Sequence, residues 1–77
     1  MKKLAKADLR LMGSSSNLED MMRMIKEKMY WSVEEVKPSE QFTCGRKQCY
    51  DIVTRNGLRE NVVIINENGR YKLYAIL

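Results

Sequence analysis

Residues 48–77 read QCYDIVTRNGLRENVVIINENGRYKLYAIL. Two Asn-Gly pairs, Asn56-Gly57 and Asn68-Gly69, separate runs rich in Val, Ile, Tyr and Thr. A type I′ turn needs positive φ at both central residues, and Asn followed by Gly adopts it at least cost. The stretch therefore predicts three strands of an antiparallel meander. Treating both pairs as two-residue loops sets the register by arithmetic. Across the second turn paired numbers sum to 137, as in Glu67–Arg70, Ile65–Lys72 and Val63–Tyr74. Across the first they sum to 113, as in Arg55–Leu58, Ile52–Asn61 and Tyr50–Val63.

Side chains alternate between the two faces of a sheet. This register puts Cys49, Asp51, Val53, Leu58, Glu60, Val62, Ile64, Tyr71, Leu73 and Ala75 on one face. Tyr50, Ile52, Arg59, Asn61, Val63, Ile65, Lys72, Tyr74 and Ile76 fall on the other. Neither face is polar, whereas a sheet with one solvated face alternates cleanly between apolar and polar. Something must cover the second face: the N-terminal segment, a second subunit or a partner.

Upstream, residues 2–12 are strong helix formers, with Leu4, Ala7, Leu11 and Met12 at helical spacing. The alternation Ala7, Leu9, Leu11 also permits a short strand, and helix is the expectation. Gly13-Ser14-Ser15-Ser16 is a break. Ser16 and Glu19 then have the spacing of a capping box that opens a helix over 17–31. Leu18, Met21, Met22, Ile25 and Met29 form one apolar stripe along it. Met21, Met22, Met24 and Met29 read as core, because thioethers fill irregular gaps. Val33 and Val36 stay in phase with the stripe, so the helix could run on to Pro38; the expectation is that it ends near residue 31, which leaves WSVEEVK as an edge strand. Pro38-Ser39-Glu40 is a turn into a short strand at Phe42-Thr43-Cys44.

The expected fold is α+β over a single domain, 1–77, with one or two N-terminal helices (within residues 1–31) packed on a three- to four-stranded antiparallel meander (within residues 40–77). The alternative takes 46–56 as a helix with 61–76 as its wing, which is a winged helix-turn-helix.

Composition narrows the function. At 77 residues there is little core to spare for a deep substrate cavity. The chain has no histidine, which removes the usual general base and the commonest zinc ligand. No phosphate-binding loop, metal-ligand cluster or nucleophile–base pair is present, so the reading is not an enzyme, with no cofactor, no metal and no small-molecule substrate. No apolar run is long enough to span a bilayer and the N-terminus is too charged for a signal peptide, so a cytoplasmic location is expected. Cys44 and Cys49 fall on neighbouring strands, where a disulfide is geometrically possible; two reduced, half-buried thiols are the expectation for a cytoplasmic chain.

Net charge is +4 and unevenly spread: residues 1–16 and 42–77 are basic, residues 17–41 acidic. The functional expectation is a small adaptor- or inhibitor-like module that binds a protein, which is acidic, or binds itself as a homodimer. It would use Tyr50, Val63, Ile65, Tyr74 and Ile76, rimmed by Arg59, Arg70 and Lys72. The alternative is a nucleic-acid-binding regulator using Arg46, Lys47 and Arg55 on phosphates.

Overall fold

The computed structural model describes residues 2–77. Its elements in chain order are β1 (Lys2–Lys3), a 3-10 turn (Lys6–Asp8), β2 (Leu9–Ser15), α1 (Leu18–Met24) and a π-type turn (Ile25–Met29). There follow β3 (Val33–Pro38), β4 (Phe42–Thr43), β5 (Cys49–Thr54), β6 (Gly57–Leu58), β7 (Val62–Glu67) and β8 (Arg70–Ile76). The main sheet is antiparallel, in the order β2-β8-β7-β5-β3, with β6 paired to β5. β1 and β4 form a separate parallel pair.

This corrects the expected fold. The chain is mostly sheet, with one short helix mid-chain, rather than N-terminal helices on a three- to four-stranded meander. Residues 2–12 form no α-helix, only the 3-10 turn at Lys6–Asp8: Leu9–Ser15 is an edge strand paired with β8 from Leu9↔Ile76 to Ser15↔Tyr71. Local helix propensity is a weak prior and long-range pairing overrides it. The winged-helix alternative also fails, because Cys49–Thr54 is a strand between β7 and β3.

The mid-chain helix forms where its apolar stripe places it. Met21 and Ile25 are fully buried on Val33, Ile52, Val62, Ile64 and Leu73, with Leu18, Met22, Met24 and Met29 packed around them. The helix approaches β2 at Gly13, where an added Cβ would lie 2.7 Å from Met24 Cε. Its cap is Asn17 rather than Ser16: Asn17 Oδ1 accepts from the Asp20 amide at 2.8 Å. It ends at Tyr30, which takes the left-handed conformation (φ 59°, ψ 27°) usually left to Gly or Asn.

The second Asn-Gly turn has the expected register: Glu67↔Arg70, Ile65↔Lys72 and Val63↔Tyr74 are observed, with Asn68 at φ 54° and Gly69 at φ 84°. The first does not. Its loop residues are Arg55 and Asn56, since Thr54 pairs with Gly57 and Val53 with Leu58. Thr54 Oγ1 holds this loop, accepting from the Asn56 amide at 3.2 Å and donating to the Gly57 carbonyl at 3.0 Å. Residues 59–61 then step out of line, and β5 meets β7 as Cys49↔Ile65 and Tyr50↔Ile64. Those pairs sum to 114 instead of 113, a one-residue slip that exchanges the faces of β5. Tyr50 and Ile52 therefore lie on the helix side with Ile64 and Leu73.

The other face carries Phe42, Cys49, Val63, Ile65 and Tyr74, with Leu4, Leu9, Cys44 and Ile76 against them. Its cover comes from the chain itself. Residues 2–4 run beside 41–43, with the Lys2 amide donating to the Gln41 carbonyl at 2.9 Å and Leu4 to Thr43 at 3.1 Å. Buried Asp51 pins the loop before β4: it accepts from Ser39 Oγ at 2.7 Å, the Glu40 amide at 2.8 Å and Gln41 Nε2 at 3.2 Å. Cys44 and Cys49 are joined as a disulfide, their Cα atoms 6.2 Å apart, rather than held as two thiols. The Cys44-to-Lys47 turn doubles the chain back far enough to bring both within bonding reach.

Candidate protein-interaction site

The residues expected to form one binding face are distributed by the fold. Val63, Ile65 and Tyr74 are buried within the chain, and Ile76 is half-buried beside them. Tyr50 is on the opposite face, its ring 5.9 Å from that of Tyr71. Burial and the neighbouring Tyr71 raise the Tyr50 phenol above its ordinary value. Arg59 is elsewhere: its guanidinium stacks 3.7 Å over the Trp31 ring, and its Nε is buried without a hydrogen-bond partner among the described residues. Arg46 and Lys47 occupy the disulfide-closed turn, whereas Arg55 sits in the loop at the other end of β5.

Lys72 and Lys47 are brought together. They gather where the β7–β8 hairpin lies beside the 44–48 turn, a junction fixed by the Asn66 amide donating to the Gln48 carbonyl at 2.9 Å. Glu67 is at the centre. Its carboxylate accepts from the Tyr74 hydroxyl at 2.6 Å and lies 3.4 Å from Lys72 Nζ and 3.9 Å from Lys47 Nζ. The hydrogen bond from Tyr74, then the two ammonium groups, hold the Glu67 carboxyl below the usual carboxylate range against the opposing effect of burial. Burial and the facing carboxylate push the Tyr74 phenol up to about 12.

Lys6 and Lys47 border a recess of about 110 Å³ above Ile65 and Glu67. A larger cleft of about 250 Å³ opens on the other side of Lys47, between Pro38, Phe42 and the disulfide. Arg70 reaches across to β2, where its Nη2 donates to Ser14 Oγ at 3.1 Å. The arrangement can attract and orient an anionic surface. Among the described residues no group of three metal-ligating side chains occurs, and no helix is long and apolar enough to cross a membrane.

Glu67 was missed as a site residue at the sequence level, and the strand at β2 was offered by the Ala7, Leu9, Leu11 alternation but helix was preferred. Glu67 continues the Val63, Ile65 alternation and pairs with Arg70 in the 137 register, which was the available signal. Compared with known protein families, curated proteins and solved structures, the chain matches none.

Proposed function

We propose that this chain is a small non-enzymatic binding module that docks an acidic protein partner through the end of the sheet carrying Lys6, Lys47, Arg70 and Lys72. The observation that supports it is the meeting of Lys47 and Lys72, from separate regions of the chain, at the single carboxylate of Glu67, with Lys6 lining the same recess and Arg70 on the neighbouring strand position beside Ser14. Complementary potential of this kind steers association and selects partners more than it adds affinity. The covered sheet face changes where the partner docks: Val63, Ile65 and Tyr74 already pack on the chain's own Leu4, Leu9 and Phe42, so contact is expected at the rim.

Protein is favoured over nucleic acid on geometry. A nucleic-acid groove combines a track of unpaired cations with aromatic rings on the same side. Here Lys47 and Lys72 share a carboxylate, Arg55 is at the far end of β5, and the Tyr50–Tyr71 pair is on the helix face. Selection from a displayed library of random peptides tests the reading. Acidic peptides should be enriched, and the Lys47→Glu, Lys72→Glu double variant should lose them while keeping its native dichroism. The reading fails if no acidic peptide is enriched. It is replaced by the nucleic-acid reading if an oligonucleotide binds instead, with a steep salt slope that neutralising Arg46, Lys47 and Arg55 removes.

A further inference from the structure

We infer that the partner segment binds as an added strand on the outer edge of β2. This rests on the acidic-partner reading and specifies its mode. Both faces of the sheet are covered by the chain itself, so the main-chain groups left without a protein partner are those along its two edges, β2 and β3. The edges are unlike. β3 has features that block strand addition and that β2 lacks: the charges Glu34, Glu35 and Lys37, and Pro38 at its end. β2 has one charged residue, Arg10, and presents Leu11 55% exposed. Its register break falls between Leu11 and Gly13, leaving Leu9–Leu11 and Gly13–Ser15 as two open stretches.

Charge decides the occupant. Arg10 stands on the helix face of β2, opposite Ala75. On the other face Leu11 stands opposite Tyr74, and Ser14, opposite Lys72, holds Arg70. The edge is therefore continuous with the basic cluster around Glu67. An extended segment that alternates acidic and apolar residues satisfies both faces: acid on the helix side beside Arg10, apolar on the other side beside Leu11. Main-chain hydrogen bonds then provide attachment and the alternating side chains provide selectivity. A second copy would offer the acidic edge β3, but head-to-tail pairing of β2 with β3 does not close and would build filaments.

The experiment uses the full chain and a synthetic probe, an acetylated and amidated peptide of alternating Glu and Val. Amide hydrogen exchange is followed residue by residue. Outward-facing amides of β2 between Leu9 and Ser15 should become protected, with β3 unchanged. N-methylation of every probe residue, which keeps its charge and removes main-chain donors from both edges, should abolish that protection. Leu11→Asp, an exposed change, should lose probe binding with the fold intact. Strand addition is overturned if the methylated probe binds equally well, or if protection falls on β3. It is also overturned if the probe fails to bind while library-selected acidic peptides bind; the acidic-partner reading then survives alone. If neither the probe nor any selected peptide binds, both readings fall together.

Discussion

The Tyr74 hydroxyl donates to the Glu67 carboxylate at 2.6 Å inside a cluster that shields both groups from solvent. The two shifts act at opposite ends of the pH scale. Glu67 is lowered in the folded chain, so its contribution is present above the unfolded carboxyl value and is lost as pH falls through the lowered folded value. Tyr74 is raised to about 12, so its contribution is complete below the ordinary phenol value of 10.0 and is lost as pH rises through about 12. An ultraviolet titration of phenolate should show Tyr74 ionising last among the four tyrosines. Glu67→Gln should lower its value only a fraction of the way, because burial is the larger cause. Four tyrosines titrating together while the fold persists would refute this assignment. Tyr30 shows a different residue-scale conflict. It is 87% exposed, so the left-handed backbone it occupies is not repaid by burial. A bulky residue there costs on the order of 1 kcal/mol relative to glycine.

Single elements show which physical signals were legible. The helix was placed by its apolar stripe, and Met21 and Ile25 are its buried centre. Its first residue was misplaced by one, because Ser16-to-Glu19 spacing satisfies a capping box on paper while Asn17 makes the bond. Asn17→Ala should therefore cost about 1 kcal/mol and Ser16→Ala distinctly less, read from urea unfolding midpoints. Equal costs would mean that the helix start is shared between the two. The Asn68-Gly69 hairpin was legible because its conformation is decided by those two residues. The neighbouring Asn56-Gly57 turn was not, because Thr54 Oγ1 shifts the loop by one position, and that interaction depends on the folded neighbourhood. The slip moved Tyr50 from the proposed binding face to the helix side. For β2 the Leu9, Leu11 alternation allowed a strand, but its partner β8 lies at the far end of the described chain, so nothing local decided strand over helix. Of the site, Arg70, Lys72 and Lys47 were visible as charges. The meeting of the two lysines at Glu67 depends on the 44–48 turn, whose disulfide clamp spacing alone left undecided.

At the scale of the whole molecule, one face is built by its own helix and the other by segments drawn over it. The Cys44–Cys49 bond holds the second cover in place. Removing it, by Cys44→Ser with Cys49→Ser, should lower stability by about 2 kcal/mol with little change in the urea slope. An unchanged midpoint, or one equally insensitive to reductant in the parent chain, would show that the bond does not form. The sheet order has a consequence for how the chain is made. β8 follows every other strand in synthesis, yet it lies between β2 and β7. Until it leaves the ribosome, β2 has no neighbour and the helix lacks Leu73 beneath it. The first half of the chain must wait, open, for the last strand. Folding is then a single late event, and a nascent chain halted before Arg70 exposes its apolar residues to chaperones and proteases.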